Sequence, residues 1–132
     1  MKTIIKKTIM IIIILSFILT LNCFFAFAND GLHLVGSDGV YLGKLTTDQY
    51  DSKSVFNEIG KYGSDISMTS IWNDISPYGS SVSMKSAFNN VASKPPLIVY
   101  NGEVIGYLTT NNIKNNSLHP KYLYSWLQNN GF

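Results

Sequence analysis

The pattern of hydrophobic and polar positions divides the chain into two parts of different character. A nearly continuous apolar run extends from Ile9 to Leu21 and is broken only by Ser16 and Thr20. From Leu32 onward, apolar residues come in short groups separated by glycine, asparagine and serine. Such grouping is typical of the strands and turns of a small globular domain.

The N-terminal part has the three regions of a secretory signal peptide. Three lysines precede the apolar run, and Ala26-Phe27-Ala28 places small residues at the two positions that signal peptidase recognises. Polar Asn29 follows directly. We therefore predict that residues 1–28 are a signal peptide cleaved after Ala28, and that residues 29–132 form one secreted domain.

Two other interpretations of this segment remain open. The 21 residues from Thr8 to Ala28 are enough to span a bilayer if they are not cleaved, which would leave an outward-facing protein on an N-terminal anchor. Cys23 is a candidate for lipid attachment, but Asn22 stands where a small residue is usual at such a site. Contact with a membrane is expected only if the N-terminal segment is uncleaved.

Two segments of the mature part, 32–48 and 97–111, are predicted hairpins, and 34–48 matches 97–111 without a gap at an offset of 63 residues. Each has an Asx-Gly pair between apolar flanks, which predicts a β-hairpin with a two-residue turn whose central positions both need φ > 0. Each also has a glycine in its second strand, which indicates a bulge or a close backbone approach. The positions are Asp38-Gly39, Gly43, Asn101-Gly102 and Gly106.

A second repeat, with a period of 16 residues, fills the segment 54–92 between the two hairpins. Each unit opens with a serine suited to cap a helix, followed by apolar residues spaced i, i+3 that would share a helix face. We therefore predict an array of short helical turns, each followed by a turn. The units open with Ser54-Val55-Phe56-Asn57-Glu58-Ile59, Ser70-Ile71-Trp72-Asn73-Asp74-Ile75 and Ser86-Ala87-Phe88-Asn89-Asn90-Val91.

The last segment, 117–128, has an apolar stripe at helical spacing and Pro120 in its first turn, so it predicts a short C-terminal helix. Together these elements predict an α+β fold in a small single domain. It has two hairpins, an array of helical-turn repeats between them and one terminal helix.

Composition removes several classes of function. Seven lysines and eight acidic residues lie in 29–132, a formal net charge of −1, and the chain contains no arginine. Nucleic acids are usually held by clustered basic residues, so we expect no nucleic-acid partner. Because Cys23 is the only cysteine and lies in the signal segment, the mature part has no disulfide, zinc–thiolate site or thiol nucleophile.

The repeat units resemble a group of small secreted bacterial proteins with repeated Asn-Pro-Tyr-Gly, Tyr-Gly-Ser and Ser-x-x-Ser patterns, a Pro-Pro, and a Gly-Tyr-Leu-Thr stretch. The matching residues are Asn57, Gly60, Tyr62, Gly63, Ser64, Ser67, Ser70, Asn73, Tyr78, Gly79, Ser80, Ser83, Ser86, Asn89, Pro95, Pro96, Gly106, Tyr107, Leu108 and Thr109. The resemblance implies export and a repeat architecture, and it assigns no functional residue. The Pro-Tyr pair of the pattern is replaced here by Glu58-Ile59, Asp74-Ile75 and Asn90-Val91.

The sequence offers no catalytic set. His33 and His119 stand alone, and no metal-ligand or serine-nucleophile motif accompanies them. Asp38 and Asp48 correspond to Asn101 and Asn111 in the second hairpin, so we expect these positions to stabilise turns rather than transfer protons. The remaining acid or base candidates, Glu58, Glu103 and His119, have no second partner in the sequence. We expect no cofactor and no metal.

Aromatic residues are the most prominent remaining feature. We expect Phe56, Trp72, Phe88 and Trp126 to form the core. The turn tyrosines Tyr62 and Tyr78 are expected to be exposed and are the candidate contacts to a partner.

The sequence favours a non-enzymatic binding or interaction module outside the cell or at its envelope, with a protein or glycan as its partner. A small secreted hydrolase acting on the cell wall or on extracellular polymers is the alternative. A toxin, immunity or competition factor is a third possibility, which a killing or protection phenotype would reveal.

Overall fold

The computed structural model describes residues 4–14 and 31–132. Residues 4–14 are helical (α1) and exposed. Among the described residues, no helix is long and apolar enough to cross a membrane. The predicted cleavage residues Ala26 and Ala28, and Cys23, lie outside the described residues, so cleavage and export stay predictions.

The domain is built on one mixed five-stranded sheet, so the α+β class is confirmed. The strand order is β2-β1-β3-β4-β5, in which β4 and β5 are parallel and the other neighbours antiparallel. The central pairing of β1 with β3 joins the two sequence segments that match each other. The strands are β1 (Leu32–Val35), β2 (Tyr41–Lys44), β3 (Leu97–Tyr100), β4 (Glu103–Leu108) and β5 (Ser117–Leu118).

The connections β1–β2 and β3–β4 use different turns, although their sequences match. Between β3 and β4, Asn101 and Gly102 have φ of 50° and 80°, the two-residue turn predicted from the sequence. Between β1 and β2, Gly36 N–H donates to Val40 O, which leaves three residues in the turn. Only Gly39 has positive φ there, at 84°, so a two-residue turn at Asp38-Gly39 is wrong. This turn is the three-residue kind that ends in a left-handed glycine.

The glycine inside each second strand lies beside a bulge. The register shifts by one residue near Gly43 in β2 and near Gly106 in β4. Gly43 has φ of 120°, and a side chain there would meet Tyr62 and Val55. At Gly106 the backbone carbonyl of Asn116 approaches closely. Both alternatives given by the sequence, a bulge and a close approach, are therefore present at the two glycines.

The segment 54–92 contains no helix, so the predicted helical turns are wrong. It is a coil of consecutive turns. A small polar residue stands at about every third position, and its side chain accepts a hydrogen bond that closes the turn that follows. Phe56, Trp72 and Phe88 each donate their backbone N–H to the hydroxyl of the serine two residues earlier, at 3.0–3.1 Å. Serine thus does cap a backbone N–H, but it caps a turn, since such side chains compete with helix formation.

Asparagine completes each unit of the coil. The amide oxygen of Asn73 accepts from Ile75 N–H at 3.1 Å, and its Nδ2 donates to Ser67 O at 3.0 Å. Asn57 and Asn89 make the equivalent two bonds. One side chain therefore closes its own turn and also ties it to the turn six residues before. In this coil, backbone bonds close single turns, as Ser76 N–H does with Asn73 O, and side-chain bonds join them in place of the continuous ladder of a helix.

The helical part of the C-terminal segment begins later than predicted, since the predicted helix was 117–128. Ser117–Leu118 is strand β5, Pro120–Tyr122 is one turn of 3₁₀-helix, and the α-helix α2 is Leu123–Asn129. His119 Nδ1 accepts from Lys121 N–H at 3.1 Å and so caps the 3₁₀ turn. A short C-terminal helix is present, but the first residues of the segment pair with β4.

The core lies between the sheet, the coil and α2. Leu34, Leu42 and Leu108 from the strands pack with Ile71 of the coil and Leu123 of the helix, and all are fully buried. Phe56, Trp72, Phe88 and Trp126, expected in the core, are only partly buried and pack against its margin. These four rings therefore keep part of their surface open.

Candidate functional site

Equivalent aromatic residues of successive coil units contact one another as tilted rings and form a ladder. The centroids of Phe56 and Trp72 are 5.8 Å apart, and those of Trp72 and Phe88 are 5.9 Å apart. Tyr124 of α2 extends the ladder with an edge contact to Phe56 at 5.2 Å. Trp72 Nε1 donates to Val55 O at 2.6 Å, which fixes the orientation of the central ring. The 16-residue period of the sequence thus brings these rings together on one side of the coil.

Two grooves open between neighbouring rungs of the ladder. The larger, of about 560 Å³, lies between Phe56 and Trp72, and the smaller, of about 300 Å³, lies between Trp72 and Phe88. Val55, Glu58, Gly63 and Asp65 of the first groove correspond at an offset of 16 to Ile71, Asp74, Gly79 and Ser81 of the second. The grooves are therefore two copies of one structural feature.

Beside the grooves stands a row of exposed aliphatic side chains. Ile59, Ile75 and Val91 occupy the same position in successive units and are 96%, 76% and 68% exposed. The prediction that Phe56 and Ile59 share one buried face is therefore wrong. The reason is the coil geometry: without helical winding, residue i turns toward the core while residue i+3 turns outward. Isolated exposed aliphatic residues are ordinary, whereas a contiguous patch marks an interaction surface.

The acidic side chains of this region are free to meet a ligand. Asp38 and Asp51 form ion pairs with Lys85 and Lys44. Among the described residues, by contrast, Glu58, Asp65 and Asp74 form no ion pair and no side-chain hydrogen bond. All three are exposed and line the grooves. We call the surface formed by the grooves and the aliphatic row the repeat face. It comprises Phe56, Glu58, Ile59, Asp65, Trp72, Asp74, Ile75, Phe88, Asn90 and Val91.

The tyrosines predicted as partner contacts pack against the first hairpin, Tyr62 against β2 and Tyr78 against the β1–β2 turn. Tyr78 is 5% exposed and Tyr62 is partly buried, so the expected exposure of Tyr78 is wrong. A side chain at Gly36 would lie 2.9 Å from the Tyr78 ring, and one at Gly43 would lie 2.7 Å from Tyr62 Cβ. Glycine at these positions leaves the space that the two rings fill. The tyrosines therefore attach the coil to the sheet.

Tyr78 belongs to a polar cluster that joins the coil to the first turn of the sheet. Its hydroxyl donates to Asp38 Oδ2 at 2.8 Å, and Lys85 Nζ donates to the same oxygen at 3.3 Å. Burial, together with the hydrogen bond to Asp38, raises the pKa of Tyr78 to about 12. Burial also raises the pKa of Asp38, but the hydrogen bonds it accepts, foremost from Tyr78, outweigh burial and lower the pKa. The cluster stabilises the ionised carboxylate and the protonated phenol.

The other candidate acids and bases are dispersed. His33 is fully buried in β1 and stacks on Tyr41, with the ring centroids 5.6 Å apart. His119 is exposed at the 3₁₀ turn, and Glu103 is exposed at the start of β4. Within the described ranges, no group of three His, Cys, Asp or Glu side chains is placed to hold a metal ion. Of these candidates, only Glu58 lies in a groove with a second carboxylate, that of Asp65.

The expected turn role of the paired acid and amide positions agrees with the hydrogen bonds. Asp48 Oδ1 accepts from Tyr50 N–H at 2.9 Å, and Asn111 Oδ1 accepts from Ile113 N–H at 3.2 Å. The two side chains do the same local work after matching strands. Asp38 likewise accepts from Val40 N–H in its own turn, at 3.2 Å.

Sequence reasoning missed the repeat face, although the signal was in the repeat itself. An aromatic residue, an acid or amide, and an aliphatic residue recur at fixed positions in all three units. Once the units are placed on a coil of stacked turns, each of these positions becomes a row. No protein-family model, characterised protein or solved structure matches the chain. The resemblance to small secreted repeat proteins stays a prediction.

Proposed function

We propose that this protein is a non-enzymatic interaction module that works outside the cell or at the cell envelope and binds its partner through the repeat face. The observation that carries the proposal is the row of Ile59, Ile75 and Val91 beside two equivalent aromatic grooves. Exposing large aliphatic side chains in register has no benefit for folding, because burying such groups is favourable by about 25 cal/mol per Å². A partner that covers the row supplies that burial.

The proposal includes the build of the module: two full 16-residue units and a shortened third, held between two hairpins. The ends of the coil support it, because one is bonded to β2 and the other to the chain just after β4. Lys44 N–H of β2 donates to Lys53 O, and Val55 N–H donates back to Lys44 O. At the other end, Thr110 N–H donates to Ala87 O. A coil fixed at both ends presents a pre-organised surface, which lowers the entropy cost of binding.

Site-specific photo-crosslinking tests the proposal. A photoreactive amino acid replaces Ile75 in the producing strain, and the same amino acid replaces Val104 as a control. Val104 is 53% exposed and belongs to β4 rather than to the coil. We expect an adduct of one defined mass from position 75 and none from position 104. Equal adducts from both positions, or none from position 75, would refute a partner-binding role for the repeat face.

A second candidate, a small hydrolase acting on extracellular polymers, is favoured by one observation: Glu58 and Asp65 line the same groove. Hydrolysis of glycosidic bonds commonly uses two carboxylates across a cleft. In the equivalent groove, however, Ser81 replaces Asp65, so the carboxylate pair is not part of the repeated surface. Incubation with cell-wall polymers separates the candidates. Release of soluble fragments by the protein, lost in both Glu58→Gln and Asp65→Asn, would favour the hydrolase.

A further inference from the structure

We infer that the occupant of the repeat face is a segment of a partner protein in which basic side chains accompany apolar ones. This inference rests on the proposed function and names its ligand. Three features of the face point to it: its charge, its apolar row and its repetition.

The first feature is charge. Glu58, Asp65 and Asp74 line the two grooves, and none of the described lysines lines either groove. Of the other described acids, Asp38 and Asp51 are paired with lysines, whereas Asp48 and Glu103 form no ion pair. Three of the five described acids without an ion pair therefore line the grooves, where the aromatic rings are open. An ammonium or guanidinium group is attracted both by the carboxylates and by the negative faces of Phe56 and Trp72.

The second feature is the aliphatic row, which separates a protein partner from a glycan. Ile59, Ile75 and Val91 offer no hydrogen-bond donor or acceptor, and all project into solvent. A saccharide would leave this row wet, because its surface is rich in hydroxyl groups that need hydrogen bonds. Apolar side chains of a peptide would bury the row and leave their neighbouring basic groups over the carboxylates. The aliphatic row and the carboxylates of the grooves together thus match a segment that has both apolar and basic side chains.

The third feature is repetition. Successive rungs are 5.8 Å and 5.9 Å apart, so one segment lying along the ladder meets the same pair of rows at each rung. The weak contacts at neighbouring rungs then reinforce one another, because a partner segment held at one rung is already close to the next.

The test is a titration of the protein, purified from cells expressing the full chain, with synthetic probes, followed by calorimetry. The main probe is an eight-residue peptide that alternates leucine with lysine. Two further peptides replace lysine with glutamate, or leucine with serine, and a neutral glucose hexasaccharide represents the glycan class. We expect binding of the leucine–lysine peptide only, weakened by added salt because the carboxylates contribute.

Variants locate the binding on the face. The triple change Glu58→Gln, Asp65→Asn and Asp74→Asn should weaken binding of the leucine–lysine peptide by about tenfold, since three exposed charges each contribute modestly. Glu103→Gln, which removes an exposed acid on β4, should leave the affinity unchanged. Ile75→Ser should weaken binding without lowering the melting temperature, because the side chain is exposed.

The outcomes separate this inference from the proposed function. Equal binding of the glutamate peptide, or an unchanged affinity in the triple variant, overturns the basic segment as ligand. Hexasaccharide binding that Trp72→Ala abolishes overturns the inference but keeps the interaction module, with a glycan as partner. No binding of any probe, together with no crosslink at position 75, overturns both.

Discussion

The bond between Tyr78 and Asp38 gives the sharpest prediction about stability, because it joins two parts of the chain 40 residues apart. Tyr78→Phe removes only the hydroxyl, and the ring still fills the space beside Gly36. A hydrogen bond to a charged group contributes about 1.5–3 kcal/mol. Asp38 keeps part of its surface in water and can be rehydrated, so we expect a loss of about 1–2 kcal/mol in the free energy of unfolding. For a domain of this size the melting temperature should fall by about 5–10 °C.

The pH dependence gives this prediction a sign. The pKa of Asp38 is lowered in the folded state, so its contribution is present above the unfolded pKa of about 3.9 and is lost as the pH falls through the folded value. The difference between the wild type and Tyr78→Phe should therefore shrink in acid. The pKa of Tyr78 is raised to about 12. Its contribution is full below the unfolded pKa of about 10 and disappears as the pH rises toward 12.

Urea unfolding followed by tryptophan fluorescence measures these differences at pH 7 and at pH 3. Asp38→Asn and the double variant with Tyr78→Phe complete a cycle, in which we expect a coupling of about 1 kcal/mol. Lys85→Met is the control for the ion pair at 3.3 Å, which involves two partly exposed groups and should contribute less. Equal stability of Tyr78→Phe and the wild type at pH 7, with additive effects in the cycle, would refute the reasoning.

Three further predictions concern turns, coil and export. Gly39→Val and Gly102→Val should each destabilise the fold by about 1 kcal/mol or more, because both glycines have positive φ; unchanged melting of both would contradict the turn assignment. Asn73→Ala should cost about 1–2 kcal/mol in thermal unfolding, because the partly buried Ile75 N–H loses its acceptor and Ser67 O keeps only the bond from Ser70 N–H. Exposed Asn90→Ala should cost little. Intact-mass analysis of the culture medium should find a chain that begins at Asn29, and recovery of only full-length protein in membranes would favour the anchor.

Local patterns were enough to predict the class of the fold and its short C-terminal helix. A turn such as Asn101-Gly102 depends on the φ that its own residues tolerate, so sequence predicts it well. A bulge or close backbone approach was predicted at Gly43 and Gly106 from their place inside strands, and each glycine lies beside a bulge. The shared turn role of acids and amides at matching positions was also predictable, because either side chain can accept the backbone N–H of a turn.

The coil was predicted as helices because the spacing of its serine and apolar residues fits both a helix and a series of capped turns. A serine that caps an N–H, followed by apolar residues three apart, is typical of a helix start, and it is equally the pattern of successive capped turns. Asn57, Asn73 and Asn89 decide between them, since each uses its amide to bond a carbonyl six residues earlier. That bond forms only when the chain has wound into stacked turns, so patterns of neighbouring residues do not predict it.

The amino-acid sequence by itself determined the period of the repeats, the turn residues and the absence of thiol and arginine chemistry from residues 29–132. Only the tertiary structure decided which side of each unit faces the core. It buried Tyr78 against Gly36 and Asp38, and it left Ile59 and Ile75 in solvent. The physical reason is that burial depends on the direction in which each turn winds, and that direction is set by contacts between units rather than within one. The repeat face is a product of that stacking.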